Sequence, residues 1–304
     1  MGEERTERVL RRGDADRITS EYFDGLLLEM RHIDAVEPST VFGLYGETFR
    51  TPVMFAALSH LDKTYPNGGV EAAKGVKAAG AVMWYGMSNP AEMEAILATG
   101  ARTIAIIKPY ADNGAIMREM EHAEQHGALA VGMDIDHQGG SAGSRGNVLG
   151  IPMGFKSLDD VKALVRATKL PFVLKGVLSE VDARKCVDAG VRGIVVSHHH
   201  GMVDYPVPPL AVLPRIVKVV NGLFPVFVDC SVRRGIDVFK ALALGASAVG
   251  LGRVVMEPLK TGGAEGVQKC IEACTADLSW TMAVTAAKDI AHIDPAVIVN
   301  TNGF

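Results

Sequence analysis

Cysteine is scarce. The 304 residues include four, at 186, 230, 270 and 274, with no Cys-x-x-Cys pair among them. That is too few for a disulfide scaffold, so reduced thiols and a cytoplasmic location are expected. An excess of positive charge is also missing. Lys and Arg total 31 against 35 Asp and Glu, a net charge of -4, which leaves no electrostatic footprint for nucleic acid. Long apolar runs are absent as well. The start, MGEERTERVLRR, is charged where a signal peptide would be apolar, and no later run reaches spanning length, so no membrane partner is expected. Gly2 followed by Thr6 matches a loose myristoylation pattern, but two acidic residues directly after the glycine mark it as chance. Low-complexity tracts and linkers are lacking too. What is present is apolar material, 48% of the chain, enough for a large core and incompatible with a disordered or fibrous protein.

From residue 52 that material is ordered into eight short runs: 52–56, 81–85, 103–107, 128–133, 171–175, 193–197, 225–229 and 247–252. Each has four to six residues and no polar alternation, as in strands buried on both faces of a parallel sheet. Amphipathic stretches separate them, such as 69–80, 113–127, 179–190 and 233–245, each closed by glycine. Ser179 is placed as an N-cap. Eight βα units with right-handed crossovers predict a (β/α)8 TIM barrel over 52–304. An open doubly wound sheet is the alternative, and it does not require eight regular units. The first 51 residues form a leader. Residues 5–31 read as a charged helix with an apolar stripe, and 39–52 as a hairpin turning near Gly46 that could plug the N-terminal end of the barrel.

Barrel chemistry sits where strands end. His60 and Asp62 follow the first run, Asp134, Asp136 and His137 the fourth, and Lys175 ends the fifth. Ser197, His198, His199 and His200 end the sixth, Asp229, Cys230, Ser231 and Arg233 follow the seventh, and Gly252 and Arg253 follow the eighth. Polar residues at strand ends are often just solvated caps. A lysine ending a buried strand makes that reading weaker for the set as a whole. DCSVRRG (229–235) and GLGR (250–253) combine free turn N–H groups, a helix start and arginine, a phosphate-binding combination. Phosphate there and a lysine on the fifth strand point to flavin mononucleotide (FMN), whose reduced anion a nearby cation stabilises.

Segments 173–201 and 225–253 resemble the FMN-dependent 2-hydroxy-acid oxidases and dehydrogenases, the group of glycolate oxidase and lactate dehydrogenase, of which this chain looks like a short, divergent member. The similarity runs from about residue 39 to 293, and 225–253 is its most specific part. The resemblance implies that Lys175 and Ser197 contact the flavin ring, and that Asp229, Ser231 and Arg233 bind ribityl and phosphate. Gly252 and Arg253 would complete the phosphate site. It implies that His199 is the base taking the substrate hydroxyl proton while hydride moves to flavin N5. Asp136 would orient His199, and Arg145 would face a small-molecule substrate. A homo-oligomer is the expected assembly.

The chain also departs from the family. Ser-Asn-His-Gly-Gly-Arg becomes Ser197-His198-His199-His200-Gly201-Met202, so methionine replaces the arginine that clamps the substrate carboxylate. Ala105 and Ile107 stand for a glutamine and a tyrosine, Ala57-Leu58 for Pro-Thr, Gly86 for a serine, and Asp229-Cys230-Ser231 for Asp-Gly-Gly. These changes keep three alternatives open. One is an FMN isomerase without net redox, similar to type 2 isopentenyl-diphosphate isomerases. The second is a metal-dependent hydrolase or lyase using His60, Asp136, His137 and His198 or His200, since His-x-His on an extended strand puts two imidazoles on one side. The third is a flavin-binding interaction module. Elsewhere, Cys270 and Cys274 read as core packing, and His122 with His126 as one solvated helix face.

Overall fold

The computed structural model of the protein describes residues 13–86, 89–138, 146–148, 150–200 and 202–303. The leader holds helix α1 (Ala15–Asp24), strand β1 (Leu26–Leu28) and the hairpin β2 (Phe42–Leu44) and β3 (Glu47–Phe49). Then come β4 (Val53–Leu58), α2 (Gly68–Ala79), β5 (Met83–Gly86), α3 (Pro90–Ala98), β6 (Thr103–Ile107), α4 (Asn113–Gln125) and β7 (Ala130–Asp134). A small hairpin, β8 (Asn147–Val148) and β9 (Ile151–Pro152), leads to α5 (Leu158–Arg166). The second half is β10 (Phe172–Lys175), α6 (Glu180–Ala189), β11 (Gly193–Val196), α7 (Pro209–Val220), β12 (Val226–Val228), α8 (Gly235–Ala243) and β13 (Ala248–Leu251). Helix α9 (Met256–Val284) and β14 (Ile298–Asn300) finish the chain.

All eight predicted runs are strands. They pair in parallel and close into a barrel in the order β10-β11-β12-β13-β4-β5-β6-β7, with β7 returning to β10. Each strand is followed by one helix, which completes the (β/α)8 barrel. Ser179 caps α6 as predicted, its side chain accepting from the Asp182 N–H. At the other end of α6, Gly190 turns the chain with φ 76°, a left-handed value that suits glycine.

The hairpin is the predicted plug. Its turn, Tyr45-Gly46, has φ of 49° and 85°, the two positive values a tight right-twisted hairpin needs. Phe42, Leu44 and Phe49 enter a buried cluster with Met54, Trp84 and Phe227 from inside the barrel. Tyr45 Oη donates to the Arg192 carbonyl at 2.9 Å, which pins the turn to the barrel rim.

One expectation is corrected. Residues 5–31 do not form one helix: among the described ones, α1 stops at Gly25 and Leu26–Leu28 is a strand. It pairs antiparallel with Ile298–Asn300, Leu26 opposite Asn300. The partner lies some 270 positions away in sequence, so local periodicity carries no trace of it.

Candidate active site

The strand register brings the candidate site's charged groups together. Lys175 and Asp134 are paired across β10 and β7, with Nζ 3.1 Å from Oδ1. Lys108, just past β6, reaches the other oxygen of Asp134 at 2.6 Å. Burial alone would raise the Asp134 carboxyl, but Lys175 and Lys108 beside it hold it far below the usual range. Burial would likewise lower Lys175, and Asp134, Asp229 and Asp136 instead keep it firmly protonated. The floor of the mouth is thus a fixed lattice of charge.

His199 stands above it. Its Nδ1 lies 3.0 Å from Asp136 Oδ1 and 3.1 Å from Lys175 Nζ. A carboxylate can only accept and an ammonium only donate, so one nitrogen cannot serve both. The Asp136 contact puts the proton on Nδ1 and leaves the Nε2 lone pair as the basic position. The backbone N–H of His199 donates to Ser197 Oγ at 3.1 Å, which fixes where the ring begins. His137 packs its ring 5.0 Å from that of His199. Burial, with Lys108 and His199 nearby, lowers it to about 4, so it stays neutral.

Beside this cluster opens a cavity of about 670 Å³, lined by Lys175, His199, Asp229, Ser231, Arg233, Gly252 and Arg253 among others. Seven predicted site residues therefore share one cavity, a volume suited to a cofactor. Ser197 lies buried behind it, 3.4 Å from Cys230 Sγ. Asp136 reaches His199 but lines a separate cavity of about 440 Å³ between α5 and α6. Arg145 falls outside the described residues, as does Gly201.

The Asp-Gly-Gly replacement keeps the glycine backbone. Cys230 and Ser231 have φ of 73° and 56°, a region that costs an ordinary residue roughly 1–2 kcal/mol. Strain of this kind persists where surrounding structure enforces it, and it gathers at ligand sites. Ser231 Oγ is buried without a hydrogen-bond partner, and a Cβ at Gly252 would come into ordinary contact with His200 Nε2 at 3.9 Å. An orphaned hydroxyl, two arginines and a roomy cavity suit a phosphorylated cofactor such as FMN. Cys230 itself is a poor nucleophile, since burial and then Asp229 push its thiol up to about 12.

The histidines that flank His199 have a structural partner. His198 Nε2 is 2.7 Å from Thr19 Oγ1, His200 Nδ1 is 2.9 Å from Asp16 Oδ1, and Arg233 Nη2 is 3.4 Å from Ser20 Oγ. Arg253 is ion-paired with the same Asp16. Asp16, Thr19 and Ser20 stand at i, i+3 and i+4 on α1, one face turned to the mouth. Burial opposes ionisation of Asp16, but hydrogen bonds from Arg253 and His200 bring its carboxyl down to about 2. The His-x-His ligand pair of the metal-dependent alternative is not formed. His199 and His200 have left-handed φ of 49° and 55°, so the strand is no longer extended there, and the 198 and 200 rings face α1 with centroids 6.5 Å apart.

Three contributors escaped the sequence reading: Asp134 as a charged hub, Lys108, and the α1 face. Lys108 ends an apolar run just as Lys175 does, and that signal was available.

Comparison with known proteins agrees with this arrangement. The family described as FMN-dependent dehydrogenase matches residues 9–157 and 153–300. Glycolate oxidase 3 of Arabidopsis thaliana is 30% identical, over 88% of this chain and 81% of its own. Glycolate oxidase of Spinacia oleracea is 29% identical over the same shares. A crystal structure of mandelate oxidase superposes with a TM-score of 0.85 at 26% identity, covering 94% of this chain and 90% of that one. The chain belongs to the FMN-dependent dehydrogenase family and is an FMN-dependent oxidoreductase.

Proposed function

We propose that the protein oxidises a 2-hydroxy acid or a closely related activated alcohol. The observation that carries this is the 3.0 Å contact of His199 Nδ1 with Asp136, which leaves Nε2 free to take the substrate hydroxyl proton. Asp136 then stabilises the imidazolium that forms. Bound FMN would supply the two-electron acceptor. Arg233, Arg253, Ser231 and Gly252 would hold its phosphate, Asp229 its ribityl chain, and Lys175 with Ser197 its ring. In this reading the FMN-binding barrel is 52–304, and the leader 1–51 contributes α1 as a clamp over the phosphate end. Arg145 would face the substrate. Net oxidation is favoured over isomerisation because the family and the His199–Asp136 pair both point that way. With methionine at 202 in place of a carboxylate-clamping arginine, either Arg145 binds the substrate carboxylate alone or the substrate is not a simple 2-hydroxy acid.

Anaerobic mixing of the FMN-loaded protein with a panel of 2-hydroxy acids should bleach the flavin absorbance. His199→Asn should slow bleaching by about 10²–10⁴-fold. No bleaching with any member sinks the proposal. Among the described residues no helix is long and apolar enough to cross a membrane. A cytoplasmic homo-oligomer is proposed as well. Trp280 and Val36 are exposed along a shared apolar groove, which supports self-association, and light scattering after size exclusion tests it.

A further inference from the structure

The groove between α3 and α4, on the outside of the barrel, gathers donors that the oxidation does not use. Glu94 projects from α3, His122 stands in the last turn of α4, and His126 is the residue that caps it. One ligand atom from each lies within 4.8 Å of the other two. The two imidazoles are 4.3 Å apart between centroids and tilted by 32°, and His126 Nε2 is 3.8 Å from Glu94 Oε2. Zinc binds nitrogen and carboxylate oxygen at about 2.0–2.2 Å, which sets ligand atoms on the order of 3.4 Å apart. Small side-chain adjustments therefore close the shell.

Three further features favour a cation here. His126 Nδ1 is 2.8 Å from the His122 carbonyl; a carbonyl can only accept, so the proton sits on Nδ1 and Nε2 presents its lone pair. Such a backbone anchor is the usual outer partner of a metal-binding histidine. The C-terminal end of α4 carries the negative end of the helix dipole, which attracts positive charge. His122 also lines a cavity of about 330 Å³ with Arg118 and Glu119, leaving room for water on the open side of an ion.

We propose that Glu94, His122 and His126 form a binding site for a borderline divalent metal ion of the zinc type, linking α3 to α4. Two imidazoles and one carboxylate suit zinc-like ions and discriminate against magnesium, which prefers oxygen. The site lies apart from the flavin cavity, and its existence does not depend on the substrate.

Untagged, FMN-loaded protein stripped with chelator should bind one Zn²⁺ with a Kd near the micromolar range and gain a few degrees in Tm, whereas Mg²⁺ should do neither. His122→Ala or His126→Ala should weaken binding at least tenfold, and Glu94→Gln less. In the wild-type protein Zn²⁺ should protect both histidines from diethylpyrocarbonate, read by mass spectrometry. Equal Zn²⁺ affinity in the double histidine variant, or unprotected histidines at saturating Zn²⁺, overturns the proposal.

Discussion

His200 Nδ1 lies 2.9 Å from Asp16 Oδ1, so the residue next to the proposed base is tied to the first helix of the chain. Asp16 also holds Arg253, one of the cations proposed for the cofactor phosphate. Two anions then compete for one arginine and one histidine. Asp16→Asn should tighten FMN binding about three- to tenfold, measured by quenching of flavin fluorescence. Weaker binding would show that Asp16 supports the phosphate site instead of occupying it. The pH effect has a definite sign. The Asp16 carboxyl lies at about 2, below its ordinary 3.8, so the docking of α1 is stabilised above that ordinary value and loses this support as pH falls through about 2.

Ser231 combines a strained backbone with a proposed cofactor contact. Glycine tolerates its φ of 56° without the Cβ penalty, so Ser231→Gly should stabilise the apoprotein by about 1 kcal/mol, a rise of roughly 2–4 °C in Tm. The same change removes the orphaned hydroxyl and should weaken FMN binding by about fivefold. If both Tm and FMN affinity stay unchanged, Ser231 is neither strained nor a ligand.

Lys108 and Asp134 are a buried pair at 2.6 Å. Removing one partner leaves an under-compensated charge, so Lys108→Met should cost about 3–5 kcal/mol in urea unfolding. The double variant Lys108→Met, Asp134→Asn should lose less than the sum of the two single changes. Strict additivity would mean that the lysine acts through packing alone.

Glu119, beside Tyr110, is raised by burial to about 7 from an ordinary 4.5. The folded protein keeps a proton there that the unfolded chain releases, so stability declines as pH rises from 4.5 to 7 and stays lower above it. Glu119→Gln should match the wild type near pH 4.5 and exceed it by on the order of 1–3 kcal/mol at pH 8. Thermal unfolding at the two pH values distinguishes this from a pH-independent effect.

The barrel was legible because its strands are buried on both faces, and eight unalternated apolar runs separated by amphipathic helices fit a closed parallel sheet better than any half-solvated one. Lys175, His199 and Arg253 were legible for a related reason: polar residues that close such runs must emerge at one end of the barrel. Contacts between distant segments were not. Thr19 and His198 are 179 positions apart, and neither has a local pattern that requires the other. The motif singles out Asp136, whereas the β7–β10 register decides that Asp134 is the carboxylate that meets Lys175. His198 and His200 qualify as a pair of metal ligands only on a strand that stays extended. Two left-handed residues turn them toward α1 instead.

The pairing of β1 with β14 has a temporal consequence. Residues 298–300 leave the ribosome after every barrel strand, and β1, directly behind α1, has no ladder partner until they do. During synthesis β1 therefore stays without its ladder partner until the last residues emerge, whatever the state of the barrel.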